Sequence, residues 1–279
     1  MTTLQQFEND EHFLRLVRRD HDVNLVVAAL EIARDQQPDL AFEPTLESLK
    51  TAVSELTRPV AMAGSDIEEL RLLIDYMTSV LHLQGDYDDF EMVESSYLNQ
   101  VIDSGRGIPI SLSVLYMAVA NELGIPLVGV AAPSHFLTQL NTDSGPLYVD
   151  AFRGGVIMDE RECVEWLGEL TELPSSEIYP SLKPASERQI IVRMLHNLKA
   201  IHGADQSWPA ALKVQQRLTL LSPGSYREKR DLALITLRAG RPGAAIDLLE
   251  SCIAVCAPEE RQLLDQYLKD ARRGAPLYN

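Results

Sequence analysis

One helix constrains this chain more than any other segment. From Pro109 to Leu123, the residues Ile110, Leu112, Val114, Leu115, Met117, Ala118, Val119, Ala120 and Leu123 put apolar side chains almost all round a helical wheel. A helix with no water-facing stripe has to be covered on most sides by other elements. Pro109 stands at the first helical position, where a proline is favoured, and Gly124 is a natural stop. The fold therefore has to supply a shell for this rod. The chain has 279 residues, 46% of them hydrophobic, which is enough for one large domain or two modest ones.

The shell reads as mostly helical. Apolar periodicity predicts helices over 11–35, closed by Pro38, and over 44–57, closed by Pro59. A third runs over 65–82 with Ser65 as N-cap and an acidic first turn, and a fourth over 93–103. Between the last two lies an acidic loop, Gly85 to Glu91. Three short strands are expected after the central helix, at 126–132, 135–140 and 147–152. Asn141-Thr142-Asp143-Ser144-Gly145 joins the last two as a hairpin. If the hairpin closes about its middle, His135 lies opposite Asp150 within one residue of register. Directly paired residues of antiparallel strands have Cβ atoms ~5 Å apart, so an imidazole–carboxylate hydrogen bond is within reach. Gly154-Gly155 reads as a turn. Helices are expected again at 160–169 and 186–203, separated by a Pro- and Ser-rich linker.

The last third carries a weak repeat. Ala210-Ala211-Leu212 recurs as Ala244-Ala245-Ile246, 34 residues on, and Leu221-Ser222-Pro223 as Cys256-Ala257-Pro258. A period of about 34 with paired helices marks tetratricopeptide-type repeats. Two copies fall short of the ~3 that a free-standing solenoid usually needs, so this tail is expected to dock on the rest.

Charge and cysteine content exclude several classes. A net charge of -16 argues against nucleic acid and against anionic membrane surfaces as partners. No run of 18 apolar residues suggests a membrane span. The acidic N-terminal segment is not a secretory signal. Three cysteines, Cys163, Cys252 and Cys256, make no disulfide framework and fit a reducing cytoplasm. Cys252 and Cys256 read as small buried hydrophobes, and Cys163 as core-facing in an amphipathic helix. Asp86, Asp88, Asp89 and Glu91 lack the ordered twelve-residue calcium pattern and read as a solvated loop. No metal or cofactor is expected.

Six separated motifs, in order, resemble the transglutaminase-like superfamily and within it the bacterial SirB-type proteins. They are Ser96-Tyr97-Leu98-Asn99-Gln100-Val101, Arg106-Gly107-Ile108-Pro109-Ile110-Ser111-Leu112-Ser113, Leu123-Gly124-Ile125-Pro126, Pro133-Ser134-His135-Phe136-Leu137, Tyr148-Val149-Asp150-Ala151-Phe152 and Arg193-Met194-Leu195-His196-Asn197-Leu198-Lys199. The resemblance implies a papain-like core, a buried central helix on a small antiparallel sheet. It implies a catalytic cysteine at the start of that helix, a histidine at His135 and an aspartate at Asp150. Here the cysteine slot reads Pro109. A proline has no thiol and no backbone N–H, so it neither attacks nor donates to an oxyanion. Ser111 is the nearest hydroxyl. Two residues along a helix is a turn of ~200°, which points it away from the slot.

The sequence therefore predicts a mainly helical α+β protein. Residues 1–105 form a helical region on a transglutaminase-like core at 106–170. A linker spans 171–185, and a tetratricopeptide-like tail spans 186–279. The function expected is binding or regulation, without turnover, through a degenerate site and the tail, with an unnamed protein or peptide as partner. The alternative is a hydrolase or acyltransferase that uses Ser111 or another nucleophile with His135 and Asp150.

Overall fold

The computed structural model describes residues 3–274. It is a mainly helical α+β architecture with four antiparallel strands in the order β1-β2-β3-β4. Contacts divide the chain into two compact units. One runs from Asp10 to Met194, and the other joins the N-terminal turn to the chain from Leu195 onward.

The first unit opens with α1 (Glu11–Arg18) and α2 (Leu25–Ala33). The single helix expected over 11–35 is broken because Arg19 adopts a left-handed conformation, φ 65°. Asn24 then starts a new helix by accepting a hydrogen bond from the Val27 N–H. The buried Glu31 carboxylate caps α1 by accepting from the His12 and Phe13 N–H groups at 3.0 and 2.7 Å. Helix α3 (Glu43–Ala61) passes through Pro59 instead of stopping there. A proline in the last turn removes a single N–H from the ladder, and Val60 beyond it is buried. Helix α4 (Asp66–Ser79) starts at Ser65, whose hydroxyl accepts from the Glu68 N–H as expected. The predicted 93–103 helix is a short 3-10 turn, Val93–Ser96, followed by α5 (Leu98–Ser104).

The central helix α6 (Pro109–Glu122) is buried at eleven of its fourteen positions, as its sequence demands. It packs against α3, α4 and α5 on one side and against β1 (Val128–Val130) and β2 (Leu137–Thr142) on the other. Strand β3 (Gly145–Asp150) pairs with β2 through a two-residue turn at Asp143-Ser144, with Thr142 opposite Gly145. A fourth strand, β4 (Val156–Asp159), was not expected; it pairs with β3 after the Gly154-Gly155 turn. Helix α7 (Glu160–Thr171) covers the second face of the sheet. Cys163, Val164 and Leu167 meet Val130, Leu137, Tyr148 and Met158 there. Residues 171–185 do more than connect. Ile178, in the one-turn α8 (Ser175–Ile178), and Leu182 are buried in that same cluster, and Ala185 donates to the Gly129 carbonyl on the edge of β1 at 2.7 Å. Helix α9 (Glu187–Ala204) runs across the boundary between the two units.

The second unit continues with α10 (Trp208–Leu221), α11 (Tyr226–Arg238), α12 (Pro242–Ile253) and α13 (Pro258–Gly274). Consecutive helices pack on each other. Ala211 and Ala245, 34 residues apart, are both fully buried, and small residues there let the helices approach closely. Cys252 is buried in the α11–α13 cluster, the role expected of it. No helix among the described residues is long and apolar enough to cross a membrane.

Candidate functional site

Asp150 ends β3, and its side chain is fully buried. The backbone turns back at once. Gly154 and Gly155 have φ of 69° and 79°, and the Gly155 N–H closes the turn on the Asp150 carbonyl at 2.8 Å. A Cβ on Gly155 would stand 2.3 Å from Ile74, so both conformation and space require glycine. This turn aims three donors at one carboxylate. The N–H groups of Phe152 and Arg153 reach Oδ1 at 3.1 and 3.3 Å, and Arg153 Nε reaches Oδ2 at 2.7 Å.

His135 supplies the fourth donor, with Nε2 3.0 Å from Oδ1. The register differs from the expected one. Thr138 pairs with Val149, which puts Leu137 level with Asp150 and His135 two residues further along. His135 lies ahead of β2, just after Ser134 at φ 55°. The imidazole reaches the carboxylate because its ring is held edge-on by Trp166, centroids 5.0 Å apart, and by Phe152 at 5.9 Å. The Arg153 guanidinium lies 4.0 Å over Trp166.

Burial alone would raise the Asp150 carboxyl. The hydrogen bonds and charges of His135 and Arg153 outweigh it and hold the group below the usual carboxylate range. Next to that anion the Nε2 position carries a proton, and Nδ1 is the nitrogen able to act as a base. This is the arrangement of a base and its orienter.

Pro109 occupies the first position of α6 and is buried. Ser113 and Tyr116 follow at i+4 and i+7, which puts all three on one helix face. Burial, and then the charge of Asp150, push the Tyr116 phenol up. Tyr116, on the face that begins at Pro109, is therefore within electrostatic reach of Asp150. The hydroxyls of Ser113 and Tyr116 are buried there without a hydrogen-bond partner among the described residues. Ser111 points elsewhere. Its hydroxyl accepts from the Ile108 N–H at 3.0 Å and donates to the Ser95 carbonyl at 2.7 Å, so it is committed to capping α6. Cys163 is within electrostatic reach of Asp150 and Arg153, but burial pushes its thiol up to about 12. Among the described residues no group of three or more His, Cys, Asp or Glu is placed to hold a metal.

Sequence reasoning missed Arg153 and Trp166. Arg153 had a signal, a cation three residues after a buried carboxylate in a Gly-Gly turn. Trp166 had none, because it arrives from another helix. Of the acidic loop, Asp86 pairs with Arg106 at 3.1 Å.

Residues 43–196 match the transglutaminase-like superfamily. The chain belongs to that superfamily. In this transglutaminase-like protein, residues 198–269 match the tetratricopeptide repeat. It is 36% identical over 243 residues to a UPF0162 protein of Xylella fastidiosa, covering 82% of this chain and 83% of that one. It is thereby a UPF0162 protein as well. The Escherichia coli UPF0162 protein YchA is 26% identical over 215 residues, 74% of this chain and 79% of YchA. The human F-box only protein 21 is 29% identical over 200 residues, 68% of this chain but 29% of that protein. No solved structure matches the chain.

Proposed function

We propose that this transglutaminase-like protein, read as a SirB-type member, works in the cytoplasm by binding and not by turnover. The cleft beside His135 and Asp150 positions or senses a ligand, and the tetratricopeptide-like tail takes a peptide or protein partner. One observation supports the reading: His135 and Asp150 form a buried hydrogen-bonded pair, while the residue in the motif's cysteine slot is Pro109, which has no thiol to activate. The alternative nucleophiles are poorly placed for the task. The Ser111 hydroxyl is spent on Ile108 and Ser95, and the Cys163 thiol stays protonated at neutral pH. The buried, unpartnered hydroxyls of Ser113 and Tyr116 on the same helix are polar groups that a ligand reaching them would satisfy.

The test is an assay of the full chain on generic glutamine-amine and peptide substrates, with and without iodoacetamide. The expected result is no turnover above buffer in either arm. Turnover abolished by alkylation and lost in Cys163→Ala would overturn the reading. Turnover that survives alkylation and is lost in Ser111→Ala would establish the hydrolase alternative.

A further inference from the structure

The first unit holds a cavity that does not include His135. It is a groove of about 650 Å³ on another side of α6. Its α6 wall is Val114, Met117, Ala118, Asn121 and Glu122. At 100° per residue these centre about 140° round the helix from the Pro109–Ser113–Tyr116 face. One helix therefore forms a wall of two separate sites.

The facing wall is α3, through Leu46, Leu49, Lys50, Val53 and Ser54. Both walls follow the spacing i, i+3, i+4, i+7, i+8, which is how a helix presents one face to another helix. The floor is apolar, with Val26, Leu49, Val114, Leu127 and Ile190 buried, and Met117 adds an adaptable surface. Each wall stripe spans about nine residues, or ~12 Å at 1.5 Å per residue, a little over two helical turns. The rim carries charge. Lys50 is already paired with Glu47 at 2.7 Å, which leaves Glu122 and Glu187 as the carboxylates facing an occupant. The chain as a whole carries -16.

We propose that this groove receives an amphipathic helix of a partner protein, with two or three Leu-sized anchors along one face and Lys or Arg beside them. The anchors fill the groove that opens beside the packed α3 and α6. The basic flanks meet Glu122 and Glu187 and slow the release of the bound helix.

The experiment is fluorescence anisotropy with the full chain and a labelled fourteen-residue helix-forming peptide, Leu at i, i+4 and i+7 and Lys on its flanks. A peptide with Glu for every Lys serves as comparison, and 1-decanol as competitor. The expected result is saturable one-to-one binding of the Lys peptide, at least tenfold weaker for the Glu peptide. Ala118→Trp, which fills the groove, should weaken binding at least tenfold. Val53→Lys, at a half-buried wall position, keeps the test valid if the tryptophan variant fails to fold; it should give a similar loss. Equal binding by wild type and both groove variants would overturn the proposal, since the peptide would then be held by general surface charge. No saturable binding would overturn it too. So would decanol binding in the groove without the peptide, which would make this a site for a small apolar molecule.

Discussion

The chain contains two buried carboxylates that are built alike and placed for different ends. Asp150 holds His135 and Arg153; Glu228 holds His196 at 3.0 Å and Lys199 at 3.2 Å. Burial works against both anions, and in both the hydrogen bonds and nearby cations win and lower the carboxyl. The difference lies in where the donors come from. Around Glu228, on α11, they come from α9 and, through Gln215 at 2.7 Å, from α10, so the carboxylate braces three helices. Around Asp150 they come from its own turn and one neighbouring loop, and the result is a fixed imidazole. His135 is 6% exposed and flanked by two aromatic rings; the side chain of His196 is 37% exposed. A histidine–carboxylate pair is thus no mark of a reactive site. What the second ring nitrogen faces decides its use.

The largest effects should come from deleting the carboxylates. Removing one partner of a buried pair costs about 3–5 kcal/mol, and Asp150→Ala should fall in that range in urea unfolding. Glu228→Ala should cost less, about 2 kcal/mol, because a half-exposed His196 recovers water contact. Equal losses would erase the distinction between the two sites. The glycines give the next contrast. Gly155→Ala forces a left-handed alanine against Ile74, and about 2–4 kcal/mol should be lost. Gly240 in the tail, φ 72°, has nothing within 4 Å of its would-be Cβ, so Gly240→Ala should cost only about 1 kcal/mol. A matched pair of melting curves checks this.

Acid should loosen both regions by the same logic. Each carboxyl is lowered on folding, so the stability it contributes is fully present above its unfolded value of about 4 and is lost as pH falls through the lowered folded value. Asp150→Asn should flatten the acid limb of a stability–pH curve, and an unchanged limb would show that the carboxylate is not held as described. The smallest effect is chemical. With its thiol at about 12, Cys163 should be the last cysteine to react with a disulfide reagent at pH 8, after the partly exposed Cys256. Early labelling of Cys163 would mean that the site side of α7 opens readily.

The legible parts of the fold were those set by local pattern. The all-apolar α6, the Ser65 cap and the 34-residue spacing of Ala211 and Ala245 can be read directly, because each depends on neighbours in sequence. The misread parts depend on tertiary context. Burial of Val60 carries α3 past Pro59, and β4 is too short to show a period. The His135–Asp150 contact was foreseen on a register two residues out. It forms because Trp166 and Phe152 orient the ring, and Trp166 comes from α7, out of reach of any local reading.

The central claim is that α6 begins where His135 would have a nucleophile to activate, and that Pro109 removes it. Replacing that residue tests this directly. In the variant Pro109→Cys, alkylation by iodoacetamide is measured as a function of pH, with and without His135→Ala. The account predicts a new thiol that reacts faster than Cys256 at pH 6–7, with a profile displaced to acid of an ordinary thiol's, about 8.5, and a displacement lost when His135 is removed. A new thiol that titrates at or above the ordinary value whether or not His135 is present would contradict it.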